Sequence, residues 1–155
     1  MILRPYVSAD LDELLILFYE TVHTVNARDY TPAQLDAWAG PHTDRERWDR
    51  TLREHTSLVA EENGQIIGFG DIDTTGYLDR LYVGRDFQRR GIARALCDAL
   101  EARQGGPVFT THASRTARGF FEARGYRVLQ AQQVERRGQY LENFVMRKER
   151  EETLW

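Results

Sequence analysis

The sequence predicts a mixed α/β fold in which a central, mostly antiparallel sheet carries helices on both faces. Three stretches carry the prediction. Leu78 to Arg103 reads as a strand, a six-residue loop (Gly84 to Arg89) and an amphipathic helix. Ser57 to Ile72 holds two apolar runs around Glu62-Asn63-Gly64, a hairpin turn because Asn and Gly both tolerate positive φ. Tyr126 to Met146 reads as a second hairpin, turning across Arg136-Arg137-Gly138-Gln139.

The elements follow in order. Ile2 to Tyr6 is a short strand whose Pro5 suits a sheet edge. Ser8 or Asp10 caps the next helix, where Leu11, Leu14, Leu15, Phe18 and Val22 recur at helical spacing and form a core stripe. His23 to Tyr30 is polar and aromatic without periodicity. Thr31-Pro32-Ala33-Gln34 is a capping box with proline at the first helical position, and its helix carries Leu35 and Trp38 to a stop at Gly40-Pro41. Thr43-Asp44-Arg45-Glu46 reads as a second capping box, opening a helix through Trp48 and Leu52. Gly105-Gly106-Pro107 ends the long helix, Val108 to His112 forms a further strand, and Ser114 caps a helix that Gly125 ends. The tail from Arg147 to Trp155 is highly charged and is expected to fray.

Composition narrows the class. A chain of 155 residues fits one domain, 1–155, with enough apolar residues (41%) to bury a core. A net charge of −3 argues against a nucleic-acid partner, and no apolar run is long enough for a bilayer span. No signal-peptide pattern opens the chain, so a cytoplasmic location is expected. The single cysteine, Cys97, excludes an internal disulfide and a cysteine-rich metal site; no metal is expected.

The junction Gln88-Arg89-Arg90-Gly91-Ile92-Ala93 suits an anion. A helix start leaves amides unbonded and carries about half a positive charge from the macrodipole. Gly91 and Ala93 are small enough to let a phosphate approach, and Arg89, Arg90 and Arg94 add charge, so diphosphate is the natural guest. The alternative is a plain tight turn into a core helix.

Gln-x-x-Gly-x-Ala after a strand ending Leu81-Tyr82-Val83, followed later by Phe120-Phe121-Glu122-Ala123-Arg124-Gly125-Tyr126, resembles the GNAT superfamily of N-acetyltransferases over essentially the whole chain. Within it the sequence is most similar to the small bacterial YafP-like branch. The resemblance implies a sheet that splays beside Val83 and an acetyl-CoA site. Amides of Gln88 to Ala95 would grip the pyrophosphate, and Leu81, Tyr82 and Val83 would face the pantetheine. A bulge near Val83 would free an N–H to polarise the thioester. Ser114 and Phe121 occupy positions of that site where the family often has asparagine and tyrosine. Phenylalanine cannot protonate a departing thiolate, so Tyr82, Tyr126, Tyr140 or water would have to serve.

Period two puts Tyr77, Asp79, Leu81 and Val83 on one strand face. Asp79 is the candidate general base, because burial would raise its pKa, or else a structural charge paired with a neighbouring arginine. Water relayed by Tyr77 and the imidazole of His112 are rivals. His23, Asn26, Tyr30 and Trp38 lie in the two short helices and loop expected to cover an acceptor pocket. The acceptor expected is a small-molecule amine; a homodimer is compatible with the fold. The rival function is an acyl-CoA-binding sensor without turnover.

Overall fold

A computed structural model describes residues 1–151. Seven strands form one sheet: β1 (Ile2–Pro5), β2 (Thr56–Glu62), β3 (Gln65–Ile72), β4 (Tyr77–Val83), β5 (Val108–Ser114), β6 (Arg127–Arg136) and β7 (Gln139–Glu149). Their spatial order is β1-β2-β3-β4-β5-β7-β6. Every neighbouring pair is antiparallel except β4–β5. The described residues also form five α-helices, α1 (Leu11–Thr24), α2 (Pro32–Trp38), α3 (Arg45–Glu54), α4 (Ile92–Gln104) and α5 (Arg118–Ala123), besides short 3-10 turns. The expected fold class is observed.

The sheet separates two cores. On one face α4 and α5 bury Leu78, Val83, Leu96, Leu100, Phe109 and Phe121. α4 approaches β3 closely because glycines stand there: a Cβ on Gly68 would meet Ile92 at 3.2 Å, and one on Gly70 would meet Leu100 at 3.2 Å. On the other face α1, α2 and α3 bury Leu14, Phe18, Val22, Leu35, Leu52 and Phe69.

Two irregularities in β4 shape everything that follows. The parallel β4–β5 ladder holds only Tyr77↔Thr110 and Leu78↔Thr111, after which the strands diverge. On the other side β3 pairs Asp71 with Arg80 but Ile72 with Leu78, leaving Asp79 as an extra, bulged residue. The bulge therefore sits at Asp79 and not near Val83, where β4 pairs regularly with Gly68. It also breaks the expected period-two face. Leu81 and Val83 turn to the α4 core together with Leu78, whereas Tyr82 packs into the α1 core.

Local capping differs at three helices. Asp10 precedes α1 without a side-chain bond to it, accepting instead from Val7 N–H (3.0 Å). The helix α5 starts at Arg118 after Ala117, whose N–H donates to Ser114 Oγ (3.1 Å) in the turn before the helix. Asp44, not Thr43, caps α3 by accepting from the Arg47 N–H (3.1 Å). The Thr31–Gln34 capping box is present as expected. Residues 147–149, expected to fray, complete β7, and the Arg150 guanidinium donates to the Glu101 and Gly106 carbonyls at 2.6 and 2.7 Å. The rest of that tail, 152–155, lies outside the described residues.

Candidate active site

The divergence of β4 from β5 opens the sheet, and two cavities meet in the opening. The smaller, about 220 Å³, is bounded by Leu81, Val83, Gln88, Ala93, Phe120 and Phe121. The larger, about 670 Å³, lies under α2 and α3 against the β6–β7 hairpin. Trp38, Asp79, Tyr82, His112 and Ser114 line both. A molecule in one cavity therefore reaches a molecule in the other only past these five side chains.

The smaller cavity leads toward the start of α4. Gly91 caps this helix with φ +78°, and the first helical bond runs from Ala95 N–H to its carbonyl at 3.0 Å. The amides of Ile92, Ala93 and Arg94 precede that bond and have no partner within the helix. A Cβ on Gly91 would meet no protein atom within 4 Å, so the space over the helix start is open to an anion. Arg89 takes φ +62° just before it, a sterically costly turn for a residue with a Cβ. These residues fit a diphosphate group.

The side chains there divide their work. Gln88 is a strut: its Nε2 donates to the Val83 carbonyl at 2.6 Å. Thr21 Oγ1 donates to the same carbonyl at 3.4 Å, so Val83 has no carbonyl to offer a ligand. Its N–H is different. Gly84 N–H bonds Ile67 in β3 at 2.8 Å, so strand alternation turns the Val83 N–H the other way, into the opening. Arg90 is drawn off to Glu62 (3.1 Å) over the Phe87 ring, leaving its backbone at the junction while Arg89 and Arg94 stay exposed. Ile92 is buried in the α4 core and anchors the helix start.

Where the cavities meet, Asp79 is 34% exposed and its pKa is raised. Burial is the main cause, and the charge of Asp71 adds to it; Arg80, 3.8 Å away, opposes. The sequence left base and paired charge as alternatives for Asp79, and the geometry gives it both neighbours. Tyr77 stacks edge-on against His112 with centroids 5.1 Å apart, and burial pushes its phenol up to about 12. His112 is exposed and lines both cavities.

Three residues that sequence reasoning passed over support Asp79. Asp71, fully buried, accepts from Arg80 at 2.6 Å and pairs with His55 Nδ1 at 2.7 Å. Arg80 is held further by Thr51 Oγ1 (2.7 Å) and by the Trp48 ring, 4.6 Å from its guanidinium carbon. The imidazole of His55 is raised in pKa, chiefly by the hydrogen bond to Asp71. Two signals for this cluster stood in the sequence. Asp71 is a lone acid in an apolar strand, and Leu78 and Leu81 are three apart, an odd spacing that only an inserted residue lets share a face.

The proposed acceptor residues separate. Trp38 and Tyr30 line the larger cavity, their rings edge-on at 5.5 Å. The Tyr30 hydroxyl is fully used, donating to the Glu142 carbonyl (2.7 Å) and accepting from Arg115 N–H (2.9 Å). Asn26 is buried and lines the smaller cavity instead. His23 lines neither: its Nε2 is 2.7 Å from the Ala39 carbonyl, which ties α1 to the end of α2.

Of the three tyrosines expected as proton donors, Tyr82, Tyr126 and Tyr140, Tyr82 alone borders the cavities. Tyr126 is buried on Glu101 (2.7 Å), and Tyr140 is exposed outside both. Burial raises the Tyr82 phenol, so it stays protonated but is a weaker acid than a free phenol. Phe121 is buried and offers none. Cys97 is also fully buried, its thiol pushed up to about 12, away from either cavity.

Comparison with known proteins agrees with this geometry. A family model described as an acetyltransferase (GNAT) domain matches residues 26–149. The uncharacterized N-acetyltransferase YafP of Escherichia coli K12 is 35% identical over 94% of this chain and 93% of its own length. A GCN5-related N-acetyltransferase of Rhodopseudomonas palustris superposes with a TM-score of 0.90 at 32% identity, over 96% of this chain and 94% of the other. The PaiA N-acetyltransferase of Thermoplasma acidophilum, solved in complex with coenzyme A, shares the fold at a TM-score of 0.77 and 17% identity, over 96% and 98% of the two chains. The yncA protein of Salmonella typhimurium, solved with acetyl-CoA, does so at 0.66 and 20%, over 100% and 96%. With its splayed sheet, its glycine-capped helix start and these likenesses, the chain belongs to the GNAT acetyltransferase family, as a YafP-like member.

Proposed function

We propose that the protein transfers an acetyl group from acetyl-CoA to the primary amine of a small acceptor, by direct attack in a ternary complex. The observation that carries this reading is the meeting of two cavities at five shared side chains, one cavity leading to the α4 start and the other covered by α2 and α3. Two fold neighbours solved with coenzyme A or acetyl-CoA support the donor class.

The free amides of Ile92, Ala93 and Arg94 and the Arg89 and Arg94 side chains suit the diphosphate; Leu81, Tyr82 and the Val83 N–H suit the pantetheine arm and thioester oxygen. The acceptor nitrogen forms a bond to the acetyl carbon as the carbon–sulfur bond breaks. The amine proton passes to Asp79, directly or through water beside Tyr77 and His112, and the leaving thiolate takes a proton from Tyr82 or water. The raised pKa of Asp79 makes it a better base than an ordinary carboxylate.

Phe121 favours a second reading, an acyl-CoA sensor without turnover, because the smaller cavity offers no phenol there. Calorimetric titration with acetyl-CoA and dephospho-CoA, followed by thiol release with an amine panel, tests both. Saturable binding with amine-dependent thiol release supports the transferase. Binding without release under every amine supports the sensor, and absence of binding removes both.

A further inference from the structure

The charges around the larger cavity are unequal. Its acidic side chains each have a partner: Glu142 bonds Arg115 at 2.9 Å, Asp44 caps α3, and Asp79 has Arg80. Its outer basic side chains do not. Among the described residues, Arg47, Arg136 and Arg137 have no carboxylate partner, although all three line this cavity. Arg136 donates only to the adjacent Glu135 carbonyl (3.0 Å), and Arg137 only to the His42 carbonyl (3.4 Å), which draws the β6–β7 turn toward the α2–α3 loop.

Arg136 opposes the upward shift of the Tyr77 phenol, so its charge is felt on the wall of the larger cavity. The same cavity wall carries an aromatic group, with Phe18 packed on Trp48 at 4.7 Å and on Tyr82 at 5.0 Å. Asn143 adds a buried side-chain oxygen with no hydrogen-bond partner. Unpaired guanidinium groups, aromatic rings and a carboxylate base on the wall of one cavity suit a bifunctional ligand.

Resting on the acetyltransferase reading, we propose that the acceptor is an amine that carries a carboxylate on an apolar body. Arg136 and Arg137, with Arg47, hold the carboxylate, and the amine reaches Asp79. A carboxylate forms its strongest hydrogen bonds with guanidinium donors, which gives these residues a role in selecting the acceptor and none in the acyl transfer itself.

Three amines of like basicity test it, 4-(2-aminoethyl)benzoate, 4-(2-aminoethyl)benzamide and phenethylamine, which differ only at the ring end remote from the amine, each with saturating acetyl-CoA. For wild type, kcat/KM for the acid exceeds that for the amide and the plain amine by about tenfold or more, as expected of one guanidinium–carboxylate contact. In the double variant Arg136→Ser/Arg137→Ser the advantage falls to near unity through KM, because the acid loses far more than phenethylamine does. An amide as good as the acid, or an advantage that survives the double variant, overturns the proposal and leaves the transferase standing. Calorimetry on the CoA-loaded protein gives a readout free of turnover. The N-acetyl product of 4-(2-aminoethyl)benzoate binding no tighter than N-acetylphenethylamine overturns the proposal as well. Loss of acetyl-CoA binding or of all amine-dependent release strikes instead at the transferase reading.

Discussion

Replacing Asp71 by asparagine removes the charge on which His55 and Arg80 converge. Two short hydrogen bonds to charged or chargeable partners meet there, at 2.7 and 2.6 Å, on a side chain with no exposure. Removing one partner of a buried pair costs about 3–5 kcal/mol. Asparagine keeps the shape and one acceptor, and Arg80 retains Thr51 and Trp48, so the lower end, about 3 kcal/mol, is expected. For a chain of this size that is a fall in Tm of about 6–12 °C. The cost also depends on pH. The folded pKa of His55 is raised above 6.5 by the Asp71 bond, so its stabilisation is full below 6.5 and fades as pH rises through the folded value. The gap between wild type and Asp71→Asn is therefore wider at pH 5.5 than at pH 9. Urea unfolding of both proteins at the two pH values measures it. A gap under about 1 kcal/mol, or one equal at both pH values, would refute the argument that this bond organises the cluster.

Asp79→Asn lowers kcat by about 10²–10⁴ and removes the acid limb of the rate profile; an unchanged profile would exclude Asp79 as base. Asp71→Asn acts on the same limb, moving it to lower pH, because the charge of Asp71 raises Asp79. Gly91→Trp abolishes calorimetric binding of acetyl-CoA, since the position combines φ +78° with open space over the helix start; retained affinity would mean the anion binds elsewhere. Tyr82→Phe slows steady-state turnover with an alkyl thioester donor and has less effect on a donor with an acidic thiol. Equal effects on both donors would count against Tyr82 as the proton source.

The parts of this protein that follow local rules were legible in its sequence. Asn63-Gly64 adopts two positive φ angles, 52° and 76°, as a tight hairpin requires. The Thr31 capping box and the apolar stripe of α4 were equally local. The junction at Gly91 was legible because helix-start physics needs only neighbours in sequence. What was not legible depends on pairing across the sheet. His55, Asp71 and Arg80 come from the end of α3, from β3 and from β4, and no spacing rule connects them. Tyr126 and Tyr140 looked as suitable as Tyr82 until tertiary packing put one on Glu101 and the other in solvent. His23 looked functional because polar residues near aromatics suggest a pocket, yet it serves as a tie between helices.

The bulge and the splay fall on the same residue, and that coincidence explains how one strand serves two cavities. Asp79 has no register partner in β3, and the β5 ladder ends one residue earlier, at Leu78. An uninterrupted strand would alternate Asp79 with Leu78 and then place Leu81 and Val83 on the face of Asp79, opposite Leu78. The polar site and the α4 core would then compete for one face. The inserted residue removes the conflict: Leu78, Leu81 and Val83 all join the α4 core, while Tyr77, Asp79, Arg80 and Tyr82 border the larger cavity. The strand thus supports α4, whose start suits the donor, with one set of side chains and lines the acceptor side with the other. The position freed from both ladders is the one that carries the proposed base.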